Sequence, residues 1–440
     1  MPFMLKRKAM VDLENWHSLK GSHQALLVTG ARQVGKTYLI RAFANERYDH
    51  LAEVNLFEDT EACKALGSAT SARELFLRLS AYVKGELIAG STLVFIDEIQ
   101  ECPDVITMIK FLLEREDFDY VLSGSMLGVE LKCVRSLPVG YLSTVDMYPL
   151  DFEEFCWGCG LPENVFDEAR EAYRQSRPVD EFVHNKLMEL FHEYLLVGGL
   201  PAAVDAFTSS QNLQAVRARQ KEIVDWYRED IAKYAGANAL QVKRIFDLIP
   251  YELSNQNKRF IAKSIEGKAS IERYNNDFLW LADANVGLAS YNVTEPRPPL
   301  MVSTNLKLFK LFLCDVGLLT YMYGMETVRD MTSGRTDIHY GALYENVVAQ
   351  ELVCHGLPLY YFKNERIGEV DFVLPWRHES VMPVEVKSGK TYKRHSALNK
   401  LLNVENYGID SAIVLYEGNV RVEGKISYLP VYFASFLDLT

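Results

Sequence analysis

The sequence predicts an α/β protein in several parts, opening with a three-layer sandwich around a mostly parallel sheet. Three observations predict it. Short apolar strand candidates alternate with helix-like stretches over the first 150 residues, the pattern of a parallel sheet covered on both faces. A glycine-rich turn at residues 30–37 stands between one such strand and a helix. Beyond residue 300, a helix is followed by several further strand candidates.

Residues 25–29, Ala-Leu-Leu-Val-Thr, form the first strand, and residues 37–44 follow as a helix with Leu39, Ile40 and Phe43 on its buried side. Strands are expected at 51–56, 93–96 and 120–122, with a helix over 72–88. Residues 1–150 therefore read as one core. Residues 151–235 read as a helical lid region, with helices over 151–156, 167–175, 179–196 and 213–234 and a break at Gly198-Gly199-Leu200-Pro201. Residues 236–299 read as a compact module with helices at 242–249, 260–266 and 271–284 and a hairpin at 286–293. That order is compatible with a winged helix and equally with a small helical subdomain. Glu295-Pro296-Arg297-Pro298-Pro299 is the best linker, since consecutive prolines resist helix and central strand alike. Residues 300–440 then hold a helix at 343–352 and strands at 359–362, 369–374, 382–387 and 411–416.

Composition narrows the classes. Of 440 residues, 48% are apolar and 24% charged, as in ordinary globular proteins. No apolar run approaches the roughly 18 residues that suggest a membrane helix, and residues 1–11 lack an apolar signal core, so a cytoplasmic protein without a membrane partner is expected. A net charge of -12 argues against a surface coated for nucleic acid. Residues 205–273 locally reverse it, with twelve Lys or Arg against nine Asp or Glu. Cys156 and Cys159 form a C-x-x-C pair without further ligands nearby; two incidental thiols is the favoured reading over a redox pair.

The chemistry concentrates in two places. Gly30-Ala31-Arg32-Gln33-Val34-Gly35-Lys36-Thr37 matches G-x-x-x-x-G-K-[ST] in full, with a strand before it and a helix after. The glycines let backbone N–H groups converge on phosphate oxygens at a helix start. Lys36 is expected on the β- and γ-phosphates of ATP and Thr37 on Mg²⁺. Leu93-Val94-Phe95-Ile96-Asp97-Glu98 is a buried strand ending in two carboxylates. Asp97 suits the Mg²⁺ ion and Glu98 suits the base that polarises water. Ser123 and Ser125, at the end of the next strand, are candidates for sensing the γ-phosphate, or simply turn formers. Arg135, and less so Arg115, is the candidate arginine for the charge that develops in the transition state.

On these residues the chain resembles the bacterial and archaeal AAA-type ATPases whose nucleotide domain is joined to a carboxy-terminal domain of unknown function. Further marks of the resemblance are Pro138-Val139-Gly140-Tyr141, Tyr148-Pro149-Leu150-Asp151-Phe152, Gly198-Gly199-Leu200-Pro201 and Phe312-Leu313-Cys314-Asp315-Val316-Gly317. It implies ATP and ADP as ligands and a homo-oligomer in which a neighbour completes the site. Tyr141 departs from relatives that carry Arg there.

The second place is Gly368-Glu369-Val370-Asp371-Phe372 followed by Val384-Glu385-Val386-Lys387. Period-two strand geometry turns Glu385 and Lys387 to one face, with Asp371 in the preceding strand and Glu345 on the helix beside it. Carboxylates plus a lysine suit a metal-dependent phosphodiesterase, with a second Mg²⁺ or a Mn²⁺ ion. The arrangement resembles the restriction-endonuclease-like fold. An active nuclease, an inactive descendant that binds nucleic acid or protein, and plain ion pairing all remain open. The resulting functional expectation is an ATPase that couples nucleotide state to domain rearrangement, on DNA or RNA. The alternatives are an ATP-gated nuclease and a nucleotide-dependent switch for a protein partner. Dinucleotide oxidoreduction is the least favoured option, since the Lys36-Thr37 ending belongs to phosphate and Mg²⁺ chemistry rather than a dinucleotide turn.

Overall fold

A computed structural model describes residues 5–19, 24–125, 140–255, 258–260, 274–333, 340–377, 380–389 and 392–438. The chain divides into two compact units: Lys6–Tyr148 with Asp283–Asn285, and the remaining residues.

The first unit is built on five parallel strands, β1 (Ala25–Thr29), β2 (His50–Asn55), β3 (Thr92–Asp97), β4 (Asp119–Gly124) and β5 (Leu142–Asp146), in the order β2-β3-β4-β1-β5. The apolar runs explain the order's interior: β1 and β3 are buried along their whole length, whereas the edge strands β2 and β5 are only partly covered. Helices Thr60–Gly67, Ala72–Tyr82 and Pro103–Leu113 close one face over Leu27, Val54 and Ile96, the last helix contributing Ile106 and Leu112 to the same core. Asp59 and Ser71 cap the first two by accepting from Ala62 N–H and Glu74 N–H. The helix expected over 72–88 stops at Tyr82, because Lys84 is drawn into a reciprocal backbone bridge with Glu53.

In the second unit, helices Phe152–Gly158, Glu163–Arg174, Glu181–Val197, Pro201–Ser210, Leu213–Tyr234 and Ala239–Ser254 precede two sheets. One sheet has the order β7-β6-β8-β9, from β6 (Gly287–Val293), β7 (Thr304–Leu313), β8 (Tyr360–Asn364) and β9 (Gly368–Val370). The other has the order β10-β11-β12-β14-β13, from β10 (Phe372–Trp376), β11 (Ser380–Val386), β12 (Ala412–Tyr416), β13 (Arg421–Glu423) and β14 (Ile426–Pro430).

Two expectations change here. Residues 286–293 hold one strand, not a hairpin: β6 pairs antiparallel with β7 and parallel with β8. That pairing crosses the Pro-rich linker, so the stretch expected as a separate module of 236–299 shares a sheet with residues beyond 300. The helical stretch 151–235 is likewise joined to the chain's end. Phe152 packs on Tyr432, Phe166 on Phe436, and His184 Nδ1 lies 2.9 Å from Tyr432 Oη. Shared aromatic packing, invisible to local periodicity, makes one unit of stretches read as three. Most of the helix expected at 260–266 and the start of the one expected at 271–284 lie outside the described residues. A helix over Asn275–Asp283 covers the remainder of the second.

Three sequence marks interlock in this unit. Asp315 caps the helix Val316–Tyr323 by accepting from Leu318 N–H at 3.0 Å and also accepts from Gly199 N–H at 2.6 Å. Leu150 N–H donates to Gly199 O at 2.6 Å, and Tyr194 Oη donates to Leu150 O at 2.5 Å. A Cβ on Gly199 would sit 1.9 Å from Leu150 O, which explains the glycine. Next along the chain, Glu351 accepts from Phe152 N–H at 2.8 Å and from Ser435 Oγ at 2.7 Å, while His355 Nε2 lies 3.3 Å from Asp151 Oδ2. Residues 150–152 are thus clamped from the helix Tyr340–Cys354 and the Gly198-Gly199 turn. Among the described residues, Cys156 and Cys159 are free, and burial pushes both thiols up, Cys159 to about 12.

Candidate nucleotide site and a terminal ion-pair cluster

The parallel sheet sends the carboxyl ends of β1, β3 and β4 to one edge, where loops bring polar groups together. Gly30 has φ +139°, and a Cβ there would lie 2.1 Å from Met147 O. Gly35, at φ +95°, opens the helix Lys36–Arg47. These two positions need glycine for the loop to curl against β5 and turn into the helix. Lys36 is buried, its Nζ donating to Gly30 O at 2.9 Å and Ala31 O at 2.8 Å. Burial pulls its ammonium down to about 8 against the opposing charges of Glu98 and Asp97. Val34 is buried beneath the loop, Arg32 lies over the Phe57 ring, and Gln33 is exposed at φ 68°.

The two acids have separate partners. Asp97 accepts from Thr37 Oγ1 at 3.0 Å, from Asn55 Nδ2 at 3.3 Å, and from Ser123 Oγ in a short contact. Burial raises the Asp97 carboxyl, with the hydrogen bonds from Ser123 and Thr37 opposing it. Glu98 has left-handed backbone, φ 54°, which turns the chain sharply after β3. Its carboxylate accepts from Ser125 Oγ at 3.1 Å and from Gln100 Nε2. β4 lies between β1 and β3, which places Ser123 and Ser125 between the phosphate loop and the acids.

The terminal residues meet around a side chain that the sequence reading passed over. Lys310, on β7, has no solvent exposure. Its Nζ lies 2.9 Å from Glu369, 3.3 Å from Glu345 and 3.8 Å from Asp371, above the Tyr361 ring. Burial would lower this ammonium, but Glu345, Glu369 and Asp371 outweigh it and hold it above the usual lysine range. Lys258 also pairs with Glu345; burial opposes the two lysines there, and they prevail, holding the carboxyl at about 2. Lys363 meets its register partner Glu369 at 2.7 Å, and Lys387 meets Glu385 at 2.6 Å. Asp371 sits where the chain passes from β9 in one sheet to β10 in the other, accepting from Val386 N–H at 2.9 Å. Burial, Glu345 and Glu385 push its carboxyl well up. Glu385 Oε2 is buried with no hydrogen-bond partner among the described residues.

Comparison with known families now adds to the geometry. A family described as "AAA domain" matches residues 22–156. This is an AAA-type P-loop ATPase domain. Two domains of unknown function, DUF8612 and DUF4143, match residues 188–329 and 340–433. No curated protein matches the chain. Among solved structures, the Walker-type ATPase PABY2304 of Pyrococcus abyssi is 16% identical over 73% of this chain and 96% of that one, with a TM-score of 0.44. The PCH-2 protein of C. elegans is 15% identical over 48% and 65%, with a TM-score of 0.27. The Drosophila ORC bound to DNA gives 14% over 75% and 96%, with a TM-score of 0.29.

The AAA domain supplies two site members that the sequence reading did not assign, Asn55 and Gln100, and Arg7, which precedes that domain, braces the loop from outside it. Asn55 is the register partner of Asp97 and ends β2 beside it; its side chain also closes a turn, accepting from Phe57 N–H and Glu58 N–H. Gln100 is buried against Glu98. Arg7 donates to Val34 O at 2.7 Å and to Tyr148 O at 2.6 Å, tying the phosphate loop to the last residue of the AAA unit. Two of these polar groups close strands or turns, where local sequence gives little sign of a distant partner. Arg135 lies outside the described residues. Arg115 does not belong to the site in its own chain: it precedes β4, pairs with Asp117 and covers the Phe76 ring. The length of β4 puts it roughly 17 Å from the carboxyl edge of the sheet.

Proposed function

We propose that the AAA domain hydrolyses Mg²⁺-bound ATP with the acids in divided roles, and that the nucleotide's state is passed to the second unit through residues 148–152. The division rests on the separate partner sets of Asp97 and Glu98. The loop amides of Gly30, Ala31, Arg32, Gln33, Val34 and Gly35 receive the phosphates, with Lys36 opposite the β- and γ-oxygens. Thr37 and Asp97 offer adjacent hard oxygen donors, the set Mg²⁺ prefers, and Asn55 and Ser123 hold Asp97 in place. When bound there, Mg²⁺ offsets charge on the phosphates. Glu98, oriented by Ser125 and Gln100, takes the proton of the attacking water. The role of offsetting charge on the γ-phosphate is assigned to Arg135 or to an arginine of a second copy of the chain.

The coupling route rests on Arg7, which bonds Val34 in the loop and Tyr148 at the chain's exit, and on the clamp over Leu150–Phe152. Arg7→Ala should leave nucleotide binding within about threefold and weaken any nucleotide-driven change in the protease sensitivity of the second unit. Unchanged sensitivity in Arg7→Ala, beside a clear response in the native chain, would count against this route.

The order helix Tyr340–Cys354, β8, β9 and β10, β11, helix Ser396–Leu402, β12 supports a restriction-endonuclease-like reading of the terminal part. On that reading the second unit holds DNA, RNA or a protein partner without cutting it. ATP turnover measured with duplex, single-stranded and structured nucleic acids separates the cases. Stimulation without cleavage supports a nucleic-acid substrate; turnover indifferent to all of them supports the protein-binding switch.

A further inference from the structure

A restriction-endonuclease-like carboxylate set implies a divalent metal, and the residues here do not fit one. Of the carboxylates that would hold such an ion, Glu345, Asp371 and Glu385, the first two are engaged by Lys310 Nζ at 3.3 and 3.8 Å, and the neighbouring Glu369 by the same group at 2.9 Å. We infer that Lys310 is a built-in cation that replaces the metal, closing this site to divalent ions and to metal-dependent phosphodiester cleavage.

Charge supports it first. Among the described residues, four ammonium groups, of Lys258, Lys310, Lys363 and Lys387, face no more than four carboxylate charges, of Glu345, Glu369, Asp371 and Glu385. A divalent ion added to that set would leave excess positive charge in a place with little solvent to screen it. Position supports it second. Lys310 stands inside the buried run Phe309-Lys310-Leu311-Phe312-Leu313, where an ammonium without carboxylate partners would be strongly unfavourable. The lysine and the acids therefore require each other, and the amine cannot be withdrawn into water without unmaking the strand. Asp371 is additionally engaged by Val386 N–H, which leaves one oxygen turned to Lys310. Glu385 Oε2, buried and without a partner, is the acceptor that the arrangement leaves over.

The inference is independent of the nucleotide site, so it is tested without nucleotide. Mn²⁺ is titrated into the full-length native chain, Lys310→Ala, and Lys310→Ala combined with Asp371→Asn, and bound metal is read from the loss of the free-ion EPR signal. The native chain is expected to take up no Mn²⁺ that depends on Asp371. Lys310→Ala is expected to gain one saturable site, with affinity lowered at least tenfold by Asp371→Asn. If burial of the unpaired acids unfolds Lys310→Ala, Mn²⁺ should restore its far-UV circular dichroism. Saturable Mn²⁺ binding by the native chain that Asp371→Asn or Glu385→Gln removes would overturn the inference. So would a Lys310→Ala protein that folds yet binds none, or native cleavage of nucleic acid in Mg²⁺ or Mn²⁺ that Asp371→Asn abolishes. Failure of ATP hydrolysis would bear on the AAA site alone.

Discussion

Changing Lys36 and changing Glu98 should separate nucleotide binding from chemistry, because Lys36 is held by the phosphate loop and Glu98 by Ser125 and Gln100. Lys36→Ala removes the only buried ammonium of the phosphate loop and should lower kcat/KM for ATP by about 100-fold or more. Glu98→Gln keeps the size and most hydrogen bonds of the side chain while losing the base. Binding of a fluorescent ATP analogue should persist while kcat falls about 10²- to 10⁴-fold. A Glu98→Gln enzyme turning over at the native rate would remove Glu98 from the role. Glu351 makes a pH prediction. Burial, then the charge of Asp151, raises its folded carboxyl to about 7 from an ordinary value near 4.5. A raised acid binds its proton more tightly when folded, so this group's contribution to stability is full below about 4.5 and is lost as pH rises through 7. Glu351→Gln retains an acceptor for Phe152 N–H and gains a donor for Ser435. Its thermal midpoint should therefore vary less between pH 4.5 and 7 than the native chain's, and parallel curves would refute the assignment. At this scale the sequence was readable where each residue belongs to a local motif: residues 30–37 follow one buried strand, Asp97 and Glu98 end another, and Thr37 meets Asp97 although 60 positions separate them. Lys310 was not, because its partners lie 35 or more positions later, though a lysine inside an apolar run was a usable sign.

Elements tell a similar story of local signals and distant partners. The strands and helices of the AAA domain follow from apolar runs and caps, and the helix Leu213–Tyr234 ends where its pattern ends. The single strand β6 was misread as a hairpin because its partners, β7 and β8, are supplied from either side of a linker. The break Gly198-Gly199-Leu200-Pro201 was visible as a break, but not as the seat of Leu150 and Asp315. This gives an element-scale prediction. Gly199→Ala places a methyl 1.9 Å from a backbone oxygen, which requires main-chain movement and should cost about 3 kcal/mol or more. Thermal unfolding should show the second unit melting several degrees earlier. An unchanged midpoint would mean that the turn does not hold residue 150 as described.

For the whole molecule, two units meet different demands on one chain. The AAA domain keeps a loop, a lysine and two acids poised at a sheet edge, and the second unit clamps the segment that leaves it. No described helix is long and apolar enough to cross a membrane. Unit count could not be read from composition shifts, since aromatic packing joins residues 152 to 432 and 166 to 436 across stretches of quite different local character. If hydrolysis drives the second unit, its protease sensitivity should differ between ATP-bound Glu98→Gln and the ADP-bound native chain. The most direct measurement is steady-state release of phosphate from ATP by the purified native chain, Lys36→Ala and Glu98→Gln, in Mg²⁺. The account predicts turnover in the native chain alone, with ATP still bound by Glu98→Gln and not by Lys36→Ala; equal turnover in all three would contradict it.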